Sequence, residues 1–220
     1  MLVLALDAST YAGSAALIRD GEIVEQSIAA MRGQHEERLM PAIAALLESL
    51  SVSVDFLDAV ACGAGPGRFT SLRIAASIAK GLSAARSTPL LAAPSTLLVV
   101  AAAEPGLPGG HYVVALDAMR GDFFCQDVEV RSGGAVRPGE SSRMNRAALE
   151  AHAAANSARI VGPAESVPLS PHARGFARLI RDEIAAPVDL TTWEPNYGRK
   201  AEAQVRWEAA HGRELEEEVD

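Results

Sequence analysis

Ala5-Leu6-Asp7-Ala8, near the start of the chain, returns as Ala115-Leu116-Asp117-Ala118 just past its middle. Each copy closes an apolar run that reads as a buried strand, Leu2 to Ala8 in the first and Tyr112 to Ala118 in the second. Each is followed by a turn and another strand: Ser9 to Gly13 then Ser14 to Ile18, and Met119 to Asp122 then Phe123 to Val130. Four shared residues of common types carry little weight alone, and it is their matched setting that marks an internal repeat. Asp20-Gly21 supplies a tight-hairpin signal before a third strand, Glu22 to Ile28, so the chain opens as a three-strand meander.

Outward from this unit the pattern alternates. Leu39, Ile43, Leu46, Leu47 and Leu50, with Met40 beside them, fall at helical spacing, and Pro41 requires that this helix start or kink there. Ala59 to Gly63 reads as a short strand that runs into the loop Gly65-Pro66-Gly67-Arg68-Phe69-Thr70. A small-residue helix follows from about Ser71 to Ala85, with Ile74, Ile78 and Leu82 as its apolar stripe. Leu90 to Ala92 predicts a strand and Thr96 to Ala103 a helix. Beyond the second copy, helices are expected at Arg146 to Ala155 and Ala173 to Ile184, with a strand at Arg159 to Val161 between them. Pro105-Gly106-Leu107-Pro108-Gly109-Gly110 is the clearest break. It divides the chain into an N-terminal lobe (1–104), a smaller C-terminal lobe (105–195), and a final helix with an acidic tail (196–220). The expected class is α/β, with two related lobes on the ground plan of the actin-like ATPases and sugar kinases (ASKHA, ribonuclease H-like).

The bulk numbers narrow the function. A 49% hydrophobic content over 220 residues is enough for a substantial core. The formal charge is −8, but five acids lie between Glu214 and Asp220, so the rest carries only about −3. Such a chain, without a long Lys/Arg stripe, is repelled by phosphodiester backbones and is a poor nucleic-acid binder on its own. Cys62 and Cys125 sit in apolar runs with no metal-ligand spacing, which fits buried thiols in a reducing compartment. The start lacks the basic flank and cleavage site of a signal peptide, and no apolar run approaches the roughly 20 residues that span a bilayer. The cytoplasm is the expected location.

In a two-lobe fold of this kind the first strand of each lobe delivers an acid to a central cleft, where paired carboxylates hold a nucleotide-bound magnesium through its waters. Asp7 and Asp117 occupy those positions; the alternative is that each caps its own turn. The loop from Gly65 to Thr70 offers backbone N–H groups and a helix N-terminus to an anion, or is a strand-to-helix turn that needs glycine dihedrals. The nucleotide set is therefore Asp7, Ser9, Thr10, Gly65, Gly67, Arg68 and Asp117. The loop is not a Walker A sequence, since no Gly-Lys-Ser/Thr follows, and Gly63-x-Gly65 lacks the third glycine and distant acid of a dinucleotide fingerprint. Hydrolytic chemistry has no Gly-x-Ser-x-Gly elbow to rest on. The five histidines are scattered, with no His-x-x-x-His pair to build a metal site on one helix face. His35, beside Glu36, Glu37 and Arg38, reads as part of a polar helix start.

The sequence resembles the TsaB family, also called YeaZ. The resemblance rests on Leu4-Ala5-Leu6-Asp7-Ala8-Ser9-Thr10 with Ser14-Ala15-Ala16-Leu17, on Gln34-His35 leading to Leu39-Met40-Pro41, and above all on Gly63-Ala64-Gly65-Pro66-Gly67-Arg68-Phe69-Thr70-Ser71-Leu72-Arg73. It continues through Ala79-Lys80-Gly81-Leu82, Asp117-Ala118-Met119-Arg120-Gly121 and Glu194-Pro195-x-Tyr197-x-Arg199. It implies an actin-like fold and a role without catalysis: pairing with a TsaD enzyme that holds metal and makes threonylcarbamoyladenosine on tRNA, with a TsaE ATPase acting on the pair. Where the metal-bearing relative places two histidines, this chain has Thr96 and Val100. The resemblance implies no cofactor for the chain itself, with ATP or ADP and magnesium belonging to the complex. It also implies a partner surface on the two helices, used for self-association when the protein is alone. His35, Leu39, Met40, Ile43, Ile74, Ala75 and Ile78 are the residues expected there; the competing expectation is that these stripes only pack on the sheet. Three positions depart from the family pattern: Arg68 stands for a serine, Ser71 for a glycine and Ala8 for a threonine. A nucleotide-dependent small-molecule kinase or ATPase using Asp7 and Asp117 is the second reading.

Overall fold

The computed structural model describes residues 1–31, 38–198 and 211. His35, the expected final helix and the acidic tail lie outside the described residues, His211 apart.

β1 (Leu2–Asp7) pairs antiparallel with β2 (Ala12–Arg19), Leu4 opposite Leu17, and β2 pairs antiparallel with β3 (Glu22–Ala30). The β2–β3 turn places Asp20 at φ 52° and Gly21 at φ 84°, the left-handed pair that a two-residue hairpin needs to match strand twist. α1 (Leu39–Ser49) then leads to β4 (Ala59–Gly63), parallel to β1, and α2 (Phe69–Arg86) leads to β5 (Leu90–Ala93), parallel to β4. Pro41 sits in the first turn of α1, where the N–H it lacks has no helical acceptor, so the helix starts there and is not kinked.

After α3 (Ser95–Ala101) the plan recurs. β6 (Gly110–Met119), β7 (Asp122–Val130) and β8 (Val136–Asn145) form a second antiparallel meander. α4 (Arg146–Ala155) follows, and its N-terminus is capped by Asn145 Oδ1, which accepts from Ala148 N at 2.9 Å. β9 (Arg159–Gly162) runs parallel to β6, and β10 (Val167–Pro168) parallel to β9. Read outward from each meander, the strand orders are β3-β2-β1-β4-β5 and β8-β7-β6-β9-β10. The same order twice is the architectural form of the sequence repeat, and it is the actin-like, ribonuclease H-like plan of two related lobes.

Alternation along the first strands sets the layers. Leu2, Leu4 and Leu6 face α1 and α2, whereas Val3 and Ala5 face the interior shared with the second sheet. In β6, Tyr112, Val114 and Leu116 face that interior, and Val113 and Ala115 face α4. α3 lies between the sheets with every residue buried. Leu97, Leu98, Val99 and Val100 there are each worth about 1.5–3 kcal/mol of burial.

Several expectations need correction. β8 was not expected: its polar sequence Arg137-Pro138-Gly139-Glu140-Ser141-Ser142-Arg143 reads as loop, and it is an edge strand largely exposed to solvent. The expected helix from Ala173 to Ile184 is a 3-10 turn, Ala173–Gly175, followed by α5 (Phe176–Arg181). The lobes are not contiguous in sequence either. β11 (Ala186–Val188) pairs antiparallel with β5, so the chain returns to the first sheet within the segment assigned to the second lobe. On α2 the side facing the sheet is Leu72, Ala75, Ala76, Ala79 and Ser83, while the larger Ile74, Ile78 and Leu82 are only half-buried.

The returning segment is tied to the first lobe at a polar corner. Ala173 N donates to Ser14 Oγ at 2.9 Å, and His172 Nδ1 accepts from Arg174 N at 3.1 Å. Burial, helped by the nearby Arg174 charge, lowers the His172 pKa to about 4. The unfolded chain therefore takes up a proton near pH 6.5 that the folded chain refuses until about pH 4, so acidification through this window destabilises the fold. Urea titrations should show the wild type losing about 2 kcal/mol more than His172→Gln between pH 7 and pH 5. Equal losses in the two proteins would show that His172 is not buried in its neutral form.

Candidate functional site

The carboxyl end of β1 is a closed knot. Asp7 has no exposed surface. Its Oδ1 accepts from Ser9 N at 3.1 Å and Ser9 Oγ at 2.8 Å, and its Oδ2 accepts from Ser95 Oγ, at the start of α3, at 2.6 Å. Burial pushes the Asp7 pKa up, and the hydrogen bonds from Ser95 and Ser9 oppose it. Gly65 N donates to the same Ser95 Oγ at 3.0 Å, and Arg68 N donates to Ser9 O at 2.9 Å, so the glycine loop is stitched to the turn after β1.

The glycines serve close approach. A Cβ at Gly63 would fall on Asp7 Oδ2 and Ser95 Oγ, and one at Gly67 on the Ser9 backbone. Gly65, at φ 77°, also lies against the carbonyl of Asn196. The space that a side chain would need at Gly65 and Gly67 is taken by the chain's own backbone. Arg68, in place of the smaller family residue, lays its guanidinium 3.5 Å above the Tyr11 ring. Thr10 Oγ1 lies 3.3 Å from both N and O of Ala12 and holds the turn.

Asp117 sits at the matching place in the second lobe but on the surface, where its Oδ1 accepts from Met119 N at 2.7 Å. The turn-capping alternative therefore describes both acids, Asp7 from Ser9 N and Asp117 from Met119 N. A cleft of about 400 Å³ does lie between the lobes, lined by Gly65, Pro66, Thr96, Phe124, Arg143 and Asn196 among others. Of the seven residues predicted for nucleotide, only Gly65 lines it. Neither Asp7, which is sealed, nor Asp117, which is outside, fits a magnesium held through water in that cleft. Thr96 and Val100 are buried on α3, and among the described residues no three His, Cys, Asp or Glu side chains come together to hold a metal.

The predicted partner residues also separate. Leu39, Ile43 and Ala75 have no exposed surface and belong to the core under the first sheet, because α1 and α2 must each bury one face at home. Met40 is exposed, and Ile74 and Ile78 line an open groove of about 460 Å³ with Phe69, Thr70, Arg73 and Ser77.

Residues 22–160 match the family model of TsaD, tRNA N6-adenosine threonylcarbamoyltransferase. The chain belongs to this family. Within it the chain is similar to proteins named TsaB and YeaZ. It is 33% identical to the tRNA threonylcarbamoyladenosine biosynthesis protein TsaB of Haemophilus influenzae, over 58% of this chain and 54% of that protein. To the protein of the same name in Escherichia coli it is 32% identical, over 61% of this chain and 58% of that one. The chain thus spans little more than half the length of the curated relatives it matches. The solved structure of YeaZ from Pseudomonas aeruginosa superposes with a TM-score of 0.72 at 27% identity, covering 89% of this chain and 99% of that one.

Against this TsaD-family background, the residue that sequence reasoning missed is Ser95. It has one signal, its place directly after Pro94 where a strand gives way to a helix, and its partners are 88 and 30 residues away in the chain. The two duplicated acids should respond differently to truncation. Asp7→Ala strands Ser95 Oγ and both donors of Ser9 in the interior and should cost about 3 kcal/mol or more in chemical denaturation. Asp117→Ala should cost less than about 1 kcal/mol. Similar losses at both sites would overturn the distinction drawn between them. ATP with magnesium should leave the thermal midpoint of the isolated chain unchanged, where a ligand at 100 times its Kd would add about 2.7 kcal/mol.

Proposed function

We propose that this chain is a non-catalytic scaffold for a TsaD-type enzyme, which transfers a threonylcarbamoyl group to adenosine next to the tRNA anticodon. The similarity to proteins named for threonylcarbamoyladenosine biosynthesis supports the pathway step. The observation that carries the scaffold role is the orientation of α2. Its small residues lie on its own sheet, and Phe69, Ile74 and Ile78 are left along an open groove. Large apolar side chains kept partly in water at a continuous groove are what a helix-packing partner buries. The chain has no cofactor of its own in this reading; ATP or ADP with magnesium belongs to the assembled complex, and a TsaE-type ATPase acts on the pair. With a net charge of −8 the chain does not hold tRNA alone, and tRNA contact is shared by the complex. The same groove serves self-association when the partner is absent. The assembly works in the cytoplasm, and no helix among the described residues is long and apolar enough to cross a membrane. The kinase alternative loses its magnesium ligand with the sealing of Asp7, and nothing in the site favours it.

A reconstitution with a TsaD-type enzyme, a TsaE-type ATPase, ATP and tRNA should yield modified tRNA only when this chain is present. Ile74→Arg with Ile78→Arg should weaken association with the TsaD-type enzyme by about tenfold or more, measured by titration calorimetry. Undiminished product without the chain would end the scaffold reading.

A further inference from the structure

The segment 193–198 has no regular structure and crosses from the first lobe to the second. Trp193 packs on the core beneath α1 and α2, with Lys80 Nζ 6.0 Å from its ring centre. Asn196 N donates to Ala64 O at 2.7 Å, and Gly198 N donates to Asn196 Oδ1 at 2.8 Å. Tyr197 rests its ring on Phe69, centroids 4.7 Å apart, and its hydroxyl donates to Glu194 Oε2 at 3.2 Å. At the far end Gly198 lies so close to Phe124 of β7 that a Cβ would overlap the ring.

These contacts give the segment two faces. Asn196 and Gly198 form part of the wall of the interlobe cleft, while Phe69, which supports Tyr197, is also part of the groove on α2. Inside the cleft, Thr96 Oγ1 is buried with no hydrogen-bond partner among the described residues and gives the segment no bond, so the hydrogen bond from Asn196 N to Ala64 O is what ties it to that wall. We propose that residues 193–198 are a strap over the interlobe cleft, seated through Phe69, so that whatever takes the Phe69 face of the groove frees the strap and opens the cleft. The nature of that occupant rests on the scaffold reading; the mechanical link between Phe69 and the cleft does not.

The link is tested in the isolated full chain. Thr96→Cys places a thiol in the cleft at a side chain that makes no hydrogen bond, and Cys62, buried in the core of the first lobe, is the internal control. Pulse alkylation read by mass spectrometry should label the introduced thiol roughly three- to tenfold faster when Tyr197→Ala or Phe69→Ala is added, with Cys62 unchanged. Hydrogen exchange in Tyr197→Ala carrying only the native cysteines gives a second readout: the Asn196 amide should exchange faster by a similar factor while the amides of β1 keep their protection. Unchanged labelling and exchange would overturn the strap, and so would acceleration of Cys62 in step with the cleft thiol, which signals global opening. Because no partner is added, a failed strap leaves the association measurement standing, and a failed association leaves the strap standing.

Discussion

A carboxylate without exposed surface must be satisfied by the protein itself, and much of the first lobe is arranged around doing so for Asp7. An unpartnered carboxylate in that position would take up a proton rather than stay charged, and its buried oxygens would still lack donors. Ser9 supplies two donors from the turn after β1 and Ser95 supplies one from the start of α3. Ser95 is placed to do this because β5 runs parallel to β4 and ends beside it, with Ala93 opposite Gly63. Gly63 has no side chain because the carboxylate lies where one would be. The interlobe helix, the glycine loop and the first turn therefore meet at one side chain.

The repeat made the fold legible. Two copies of a short motif, each at the end of a buried strand, predicted two related lobes, and the shared strand order follows from them. Helices and strands with strong periodicity were readable nearly to the residue, as at Ala59–Gly63 and Arg146–Ala155. The elements that escaped had no such signal. β8 is polar because it is a sheet edge that faces water, and β10 and β11 are two and three residues long, too short for alternation to register.

The site was less legible, for a different reason. Periodicity on α2 locates a stripe but cannot say which stripe faces home. Ile74 and Ile78 were expected on a partner surface together with Ala75, but the helix turns them apart: the sheet takes Ala75, Ala76 and Ala79, whose small size lets the helix lie close to the strands, and Ile74 and Ile78 are left half-buried. Leu39 and Ile43 were expected on the same partner surface and are instead fully buried in the core, so one expectation meets opposite outcomes on the two helices. What separates them is how much volume the sheet leaves, a tertiary quantity.

The two acids of the repeat show how far a shared motif constrains chemistry. β1 ends at Asp7 and β6 two residues past Asp117, and each Asp accepts from the backbone N–H two residues on, which is all that the local sequence dictates. Their different exposure comes from what is laid over them. In the first lobe Ser95 and the glycine loop close on Asp7. In the second, the segment after β9 carries Glu165, which is held in a two-pronged pair by Arg146 at 2.7 and 2.9 Å and makes no bond to Asp117. Asp7 is thereby withdrawn from solvent, and Asp117 is left outside the cleft. With Asp7 sealed and Asp117 on the surface, there remains the apolar flank of α2, where Ile78 and Leu82 pack in part on the first-lobe core. Single exposed apolar residues are ordinary, but Phe69, Ile74 and Ile78 line one groove, and that grouping is what the scaffold proposal rests on.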